Sequence, residues 1–170
     1  EKNPSRLEGV THSLFQSKNP LMQKILQEVE KFAKSSASVF ISGESGTGKE
    51  VLASTIHQLS KRKQESFIKV NCPAIAESLW ESEFFGHDKG AFTGAEKKRL
   101  GRFELANKGT LLLDEVTEMP VHLQSKLLRA LQEQEFERLG SETSIKVDVR
   151  IISTTNRNIE EAIDQKLFRQ

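Results

Sequence analysis

Ser38-Val39-Phe40-Ile41-Ser42-Gly43-Glu44-Ser45-Gly46-Thr47-Gly48-Lys49-Glu50-Val51-Leu52 is the stretch from which the rest of the chain can be read. Residues 38–41 form a short apolar run that ends at the glycines of 43–48, the mark of a buried strand. Helical spacing resumes on the far side with Val51, Leu52, Ile56 and Leu59. Between them, Gly43 to Lys49 fits the pattern G-x-x-x-x-G-K, in which successive backbone N–H groups at a helix N-terminus wrap phosphate oxygens and a lysine neutralises the outer ones. Glycine is required because Cβ atoms would hold the phosphate away from the backbone. A strand entering and a helix leaving is the context the pattern needs, so 43–50 reads as a nucleotide-binding loop. Glu50 stands where Ser or Thr ordinarily ligates magnesium, a departure from the common form.

Reading outward, residues 1–18 are polar and form an N-terminal segment, and a domain occupies 19–170. Asn19-Pro20 supplies an N-cap and the favoured first helical position. Leu21, Ile25, Val29 and Phe32/Ala33 follow at helical spacing as far as Lys34. Downstream come a strand over 67–70, a helix near 74–85, a glycine-rich excursion over 86–101 and a strand over 110–113. A helix over 120–134 carries the stripe Val121, Leu127, Leu128 and Leu131. Segments 136–139 and 144–147, joined through Gly140, read as a hairpin. A fourth central strand over 149–153 and a short helix over 159–165 complete the alternation. Strands separated by helices predict a parallel α/β sheet with ligands at the carboxyl ends of its strands.

One such end is chemically charged. Thr110-Leu111-Leu112-Leu113-Asp114-Glu115 sets two adjacent carboxylates at the end of an apolar strand. Asp114 can hold magnesium directly or through water, and Glu115 can polarise an attacking water. Taken alone, an acidic turn after a strand reads equally well; the upstream phosphate loop favours the catalytic reading.

Composition narrows the rest. With 170 residues, 36% of them hydrophobic, the chain is long enough for one domain with a real core. Its 25 basic and 24 acidic side chains nearly cancel, which excludes a nucleic-acid glove built on net charge. Ten Phe, one Trp and no Tyr leave little surface for base stacking. A lone cysteine, Cys72, closes no internal disulfide, and no apolar run approaches the ~18 residues of a membrane span. The start at Glu1, with no apolar leader, reads as a piece of a longer soluble protein. His12, His57, His87 and His122 stand at no metal-ligand spacing with Cys72 or one another. The basic runs at 61–63 and 97–99 read as solvated surface, and Trp80 as packing.

These motifs resemble those of the AAA+ domain of bacterial sigma-54-dependent transcriptional activators, the NtrC-like enhancer-binding proteins. The phosphate loop, with Glu50 included, is similar to that family's own. More specific is Glu81-Ser82-Glu83-Phe84-Phe85-Gly86-His87-Asp88-Lys89-Gly90-Ala91-Phe92-Thr93-Gly94-Ala95, whose last six residues, GAFTGA, match the family signature. Two glycines bracket an aromatic and a hydroxyl there, so the residues alone suggest a mobile tip presenting Phe92 and Thr93 to a partner; Phe92 folded back into the core is the competing reading. The resemblance implies a three-layer α/β/α P-loop core, ATP with Mg2+, and sigma-54 and RNA polymerase as partners gripped through Gly90, Ala91, Phe92, Thr93, Gly94 and Ala95. It further implies self-association into a ring, usually a hexamer, in the bacterial cytoplasm, with DNA contacted mainly by a separate domain. Glu115 would be the catalytic base, Asp114 the metal ligand, Asn71 the residue holding Glu115 in an inactive pose, Asn156 a contact to the γ-phosphate or attacking water, and Arg169 a finger reaching a neighbour's nucleotide. In that family a last strand and a helical lid follow, so the chain is expected to lack both, with its first strand on an open sheet edge. A nucleotide-dependent binding module that does not hydrolyse, and an AAA+ protein with another substrate, stand as alternatives.

Overall fold

The computed structural model describes residues 18–165. Asn19 starts the first helix as its sequence requires: its side-chain oxygen accepts the Leu21 N–H at 2.9 Å, and Pro20 occupies the first turn. Helix α1 spans Pro20–Lys34 and buries Leu26, Val29 and Ala33. The stripe is rotated from the expected one, because Leu21 and Phe32 face outward and Leu26 faces in. Spacing alone leaves the centre of a broad apolar arc undefined; the packing of α1 on the sheet layer sets it.

The main sheet consists of β1 (Val39–Ser42), β2 (Phe67–Asn71), β5 (Thr110–Asp114) and β8 (Arg150–Thr155), all parallel, in the order β1-β8-β5-β2. As expected, β1 stands on an edge, and its Phe40 is exposed. Alternation along the strands divides the core. Leu112 and Ile152 pack with Val29, Ala33, Ala53 and Ile56 of α1 and of α2 (Lys49–Gln58). Leu111, Leu113 and Ile151 face the opposite layer, with Trp80, Phe84 and Phe85 of α3 (Trp80–Phe85) and with α5 (Val121–Glu133). Leu111, Leu112 and Leu113 are all at or below 1% exposed, so the strand that leads to the acidic pair is buried on both faces.

The region before α3 differs from the single helix expected over 74–85. Pro73 opens a short 3-10 turn, Cys72–Ala74, then Ile75 and Ala76 are extended, and a second turn, Glu77–Leu79, leads into α3. On α5 the buried stripe is Leu123, Leu127 and Ala130, whereas Val121 and Leu128 are exposed. The short helix α4 (Arg102–Leu105) precedes β5, and α6 (Ile159–Asp164) follows β8.

Two small antiparallel pairs project from this core. β3 (Gly86–His87) pairs with β4 (Arg99–Leu100) and forms the stem of the glycine-rich excursion. Gly86 and Gly101 meet so closely there that a Cβ on Gly101 would lie 2.3 Å from the Phe84 carbonyl, and one on Gly86 2.4 Å from the Arg99 carbonyl. The expected hairpin is β6 (Glu135–Glu137) with β7 (Ser144–Lys146).

Candidate nucleotide site and glycine-rich loop

The parallel register brings the chemistry together. Asn71 is level with Asp114, and Ser42 with Thr155, so three strand ends and the start of the phosphate loop share one rim of the sheet. The Gly43 N–H donates to the Thr155 carbonyl at 3.2 Å, pinning the loop's entry to β8. Gly48, at φ 86°, occupies the left-handed region immediately before α2 and lets the loop turn into the helix with its N–H groups facing inward. The Lys49 ammonium is 8% exposed and folds back over the loop, donating to the Gly43 carbonyl at 2.8 Å and the Glu44 carbonyl at 3.1 Å. It also lies 3.4 Å from Glu115 Oε1. Lys49 thus draws the start of the loop and Glu115 together.

The acidic pair is tightly arranged. Glu115 adopts φ 55°, ψ 56°, a left-handed conformation that costs a residue with a Cβ on the order of 1 kcal/mol. This kink directs its carboxylate toward β8, where Oε2 accepts the Asn156 N–H at 2.7 Å. Glu115 is therefore held by Asn156 and Lys49; Asn71 makes no hydrogen bond to it in this state. The hold expected of the asparagine on β2 is made instead by the main chain after β8, because the kink turns Glu115 away from β2. The Asn156 side chain is exposed. Arg169 lies outside the described residues.

Two features escaped sequence reasoning. Thr154 Oγ1 donates to Asp114 Oδ1 at 2.5 Å and accepts the Glu115 N–H at 3.1 Å. Glu50 pairs with Lys69 of β2 at 2.8 Å, and Lys69 also lies over the Phe67 ring. Neither contact leaves a local pattern in the chain, since each joins residues 19 or more positions apart.

Cys72 sits directly after Asn71 and is fully buried. Burial first, then the charges of Asp114 and Glu115, push its thiol up to about 12, which makes it packing and not a nucleophile. His57 hydrogen-bonds Thr110 Oγ1 at 3.0 Å and His87 hydrogen-bonds Ser82 Oγ at 2.7 Å, both buried. No cluster of three His, Cys, Asp or Glu able to hold a metal occurs among the described residues. Arg62 and Arg99, from the two basic runs, are paired with Asp148 and Glu83, and Trp80 stacks on Phe84.

The glycine-rich loop is closed upon itself. The Gly90 N–H donates to the Ala95 carbonyl at 2.9 Å, and the Ala95 N–H to the Phe92 carbonyl at 3.0 Å. Phe92 takes an intermediate position between the two sequence readings. Its ring rests edge-on against His87, 5.0 Å between centroids, yet 41% of the residue remains exposed beside exposed Thr93. The base of the loop is fastened to the turn after β6: Asp88 N–H donates to the Leu139 carbonyl, Leu139 N–H to the Gly86 carbonyl, and Arg138 pairs with Asp88 and Glu104.

A phosphate-loop cradle after an edge strand, faced by an acidic pair at the end of a buried parallel strand, defines a P-loop NTPase of the three-layer α/β/α class with an AAA+ core. Within that class the chain belongs to the Sigma-54 interaction domain family, whose model matches residues 15–170. Over 152 residues it is 59% identical to the regulatory protein AtoC of Escherichia coli, a match covering 89% of this chain and 33% of that protein. It is 55% identical over 151 residues to the Nif-specific regulatory protein of Bradyrhizobium diazoefficiens, covering 89% of this chain and 26% of that one. The chain thus spans about a third or less of the length of these relatives. Among solved structures, NtrX from Brucella abortus in complex with ATP superposes with a TM-score of 0.81 at 40% identity, over 91% of this chain and 34% of NtrX.

Proposed function

We propose that this chain is the ATP-hydrolysing part of a bacterial transcriptional activator that couples nucleotide turnover to remodelling of the sigma-54 RNA polymerase closed complex. The observation that carries the reading is the convergence of Lys49, Asp114, Glu115 and Asn156 on one rim of the sheet, with Lys49 already bridging the loop carbonyls and Glu115. A solved relative with ATP bound supports it.

In this reading Gly43, Glu44, Ser45, Gly46, Thr47, Gly48, Lys49 and Glu50 enclose the phosphates. Lys49 gives up its contacts with the loop carbonyls and Glu115 to neutralise phosphate charge, which frees Glu115 to accept a proton from water. The donor set fits magnesium: hard carboxylate oxygens of Asp114 beside a phosphate cradle, and no all-protein cage among the described residues. The ion, when bound, supplies charge neutralisation at the phosphates. Glu50 faces Lys69, and Asp114 is the main protein ligand. Arg169 enters a neighbouring subunit's site in a ring, so full turnover needs assembly. Glu115 as held here favours a second state, in which the chain binds nucleotide without hydrolysing it.

The exposed Phe92 and Thr93, presented between Gly90, Ala91, Gly94 and Ala95, supply the contact to sigma-54. DNA contact belongs mainly to another part of the full-length protein. The bacterial cytoplasm as the location rests on the family; no described helix is long and apolar enough to cross a membrane.

The test is paired. Lys49→Ala is expected to abolish binding of a fluorescent ATP analogue, and Thr93→Ala to keep that binding while losing capture of purified sigma-54. Unchanged ATP affinity in Lys49→Ala would overturn the nucleotide site; unchanged sigma-54 capture in Thr93→Ala would overturn the role of the loop.

A further inference from the structure

Thr154 is fully buried in β8, level with Ile41 of β1, and its hydroxyl touches both members of the acidic pair. The direction of each bond follows from the donors available. A backbone amide can only donate, so Oγ1 must accept the Glu115 N–H. Its single proton is then given to Asp114 Oδ1, 2.5 Å away, the short distance of a bond to a charged oxygen. The proton and one lone pair of a single buried hydroxyl thereby serve two consecutive residues that have different tasks.

The consequences differ for each. Asp114 is prevented from rotating freely about its side-chain bonds: Oδ1 is tied to β8, and Oδ2 is left without a hydrogen bond among the described residues. Glu115 is held in its left-handed kink at its N–H by Thr154, at its carbonyl by the Glu118 N–H at 3.0 Å, and at its carboxylate by the Asn156 N–H. Thr155, the next residue, serves a separate purpose, with its hydroxyl on Thr117 at 2.8 Å and on the Arg157 N–H. Threonine suits position 154 because its β-branch restricts χ1 in a strand, so the hydroxyl is aimed before any ligand arrives.

Resting on the nucleotide-site reading above, we propose that Thr154 is a positioning residue of that site: its hydroxyl sets the orientation of the Asp114 carboxylate toward the cation and holds the kink that aims Glu115. Residues that orient a metal-binding carboxylate without touching the metal typically change metal affinity or activity by about 10–100-fold when removed.

The experiment uses the 170-residue chain with Thr154→Val, which keeps the shape and removes the hydroxyl, Thr154→Ala as a smaller second removal, and Thr154→Ser, which restores the hydroxyl. Affinity for a fluorescent ATP analogue is titrated against magnesium, and exchange of the Glu115 amide is followed by mass spectrometry or NMR. In Thr154→Val, magnesium-free affinity is expected within about twofold of wild type, the half-saturating magnesium to rise about tenfold or more, and the Glu115 amide to exchange about tenfold faster. Thr154→Ser is expected to return both to within about twofold of wild type. If Thr154→Val does not fold, Thr154→Ala carries the same expectations. A folded variant without the hydroxyl that keeps both the magnesium dependence and the Glu115 protection would overturn the proposal, as would wild-type affinity indifferent to magnesium. Lys49→Ala separates the two levels: if it binds nucleotide normally, the site reading fails, while Glu115 exchange still judges the Thr154 contact.

Discussion

Glu115→Gln isolates the charge of one carboxylate from its shape. The amide has the same length, and its carbonyl oxygen can still accept the Asn156 N–H that now lies 2.7 Å from Oε2. What disappears is the charge 3.4 Å from the Lys49 ammonium, in a pair whose side chains are only 8% and 18% exposed. Lys49 retains its bonds to the Gly43 and Glu44 carbonyls, which moderates the cost of breaking a buried pair, so the fold should lose about 1–3 kcal/mol, a melting shift of roughly 2–12 °C. Nucleotide binding should be kept, and strengthened by up to about fivefold, because Lys49 no longer leaves a carboxylate to reach a phosphate; that is the yield of ~1 kcal/mol. Hydrolysis should fall by about 10²–10⁴, or ~3–5 kcal/mol in the barrier, the usual contribution of a general base. Equilibrium titration with a fluorescent ATP analogue and phosphate release over a wide range of protein concentration measure the two effects separately. Turnover equal to wild type would remove Glu115 from the role of base. A tenfold loss of ATP affinity would refute the argument that Glu115 competes with phosphate for Lys49.

Arg150→Ala should destabilise the fold by ~3–5 kcal/mol in urea unfolding. The side chain is 3% exposed and donates to the carbonyls of Phe32 and Ala33 at the end of α1 and of Ala37 beyond it; its removal opens a cavity and takes a charged donor from all three, with Phe32 keeping the Ser35 N–H, and a loss below ~1 kcal/mol would contradict this. Buried His57 has its pKa held below 6.5, first by burial and then by the charge of Arg150. The unfolded chain therefore takes up a proton before the folded one does, and stability is lost as pH falls through the unfolded value of 6.5. Between pH 7.5 and 5.5 the urea midpoint of the wild type is expected to fall further than that of His57→Gln; equal falls would show that His57 contributes nothing.

Legibility in the sequence follows the range of the interaction. Asn19-Pro20 announces α1 because capping acts within three residues, and 110–113 announces β5 because an apolar run that short, bounded by turns, has few other places to be buried. The helix faces were less legible. On α1 and α5 several apolar residues compete for the inward direction, and Leu26 and Leu123 prevail over Leu21 and Val121 only because of where the sheet lies. Before α3, Pro73 is compatible with a helix starting at 74; the extended Ile75 and Ala76, which no local pattern marks, set the true start at Trp80.

The sequence by itself determined the phosphate loop, the acidic pair, the GAFTGA loop and the parallel α/β class, since each rests on neighbours along the chain and on a periodicity of two or 3.6 residues. Tertiary structure alone decided which groups meet. The parallel register put Asn71 beside Asp114, yet the left-handed turn at Glu115 sent its carboxylate to Asn156. The Thr154 hydroxyl found two partners about 40 residues away, Lys69 reached Glu50, and the glycine-rich loop came to rest against His87 and the turn after β6. A hydrogen bond between distant residues has no period along the chain; it exists once packed layers have brought donor and acceptor within 3 Å or so, and only then does the site acquire its geometry.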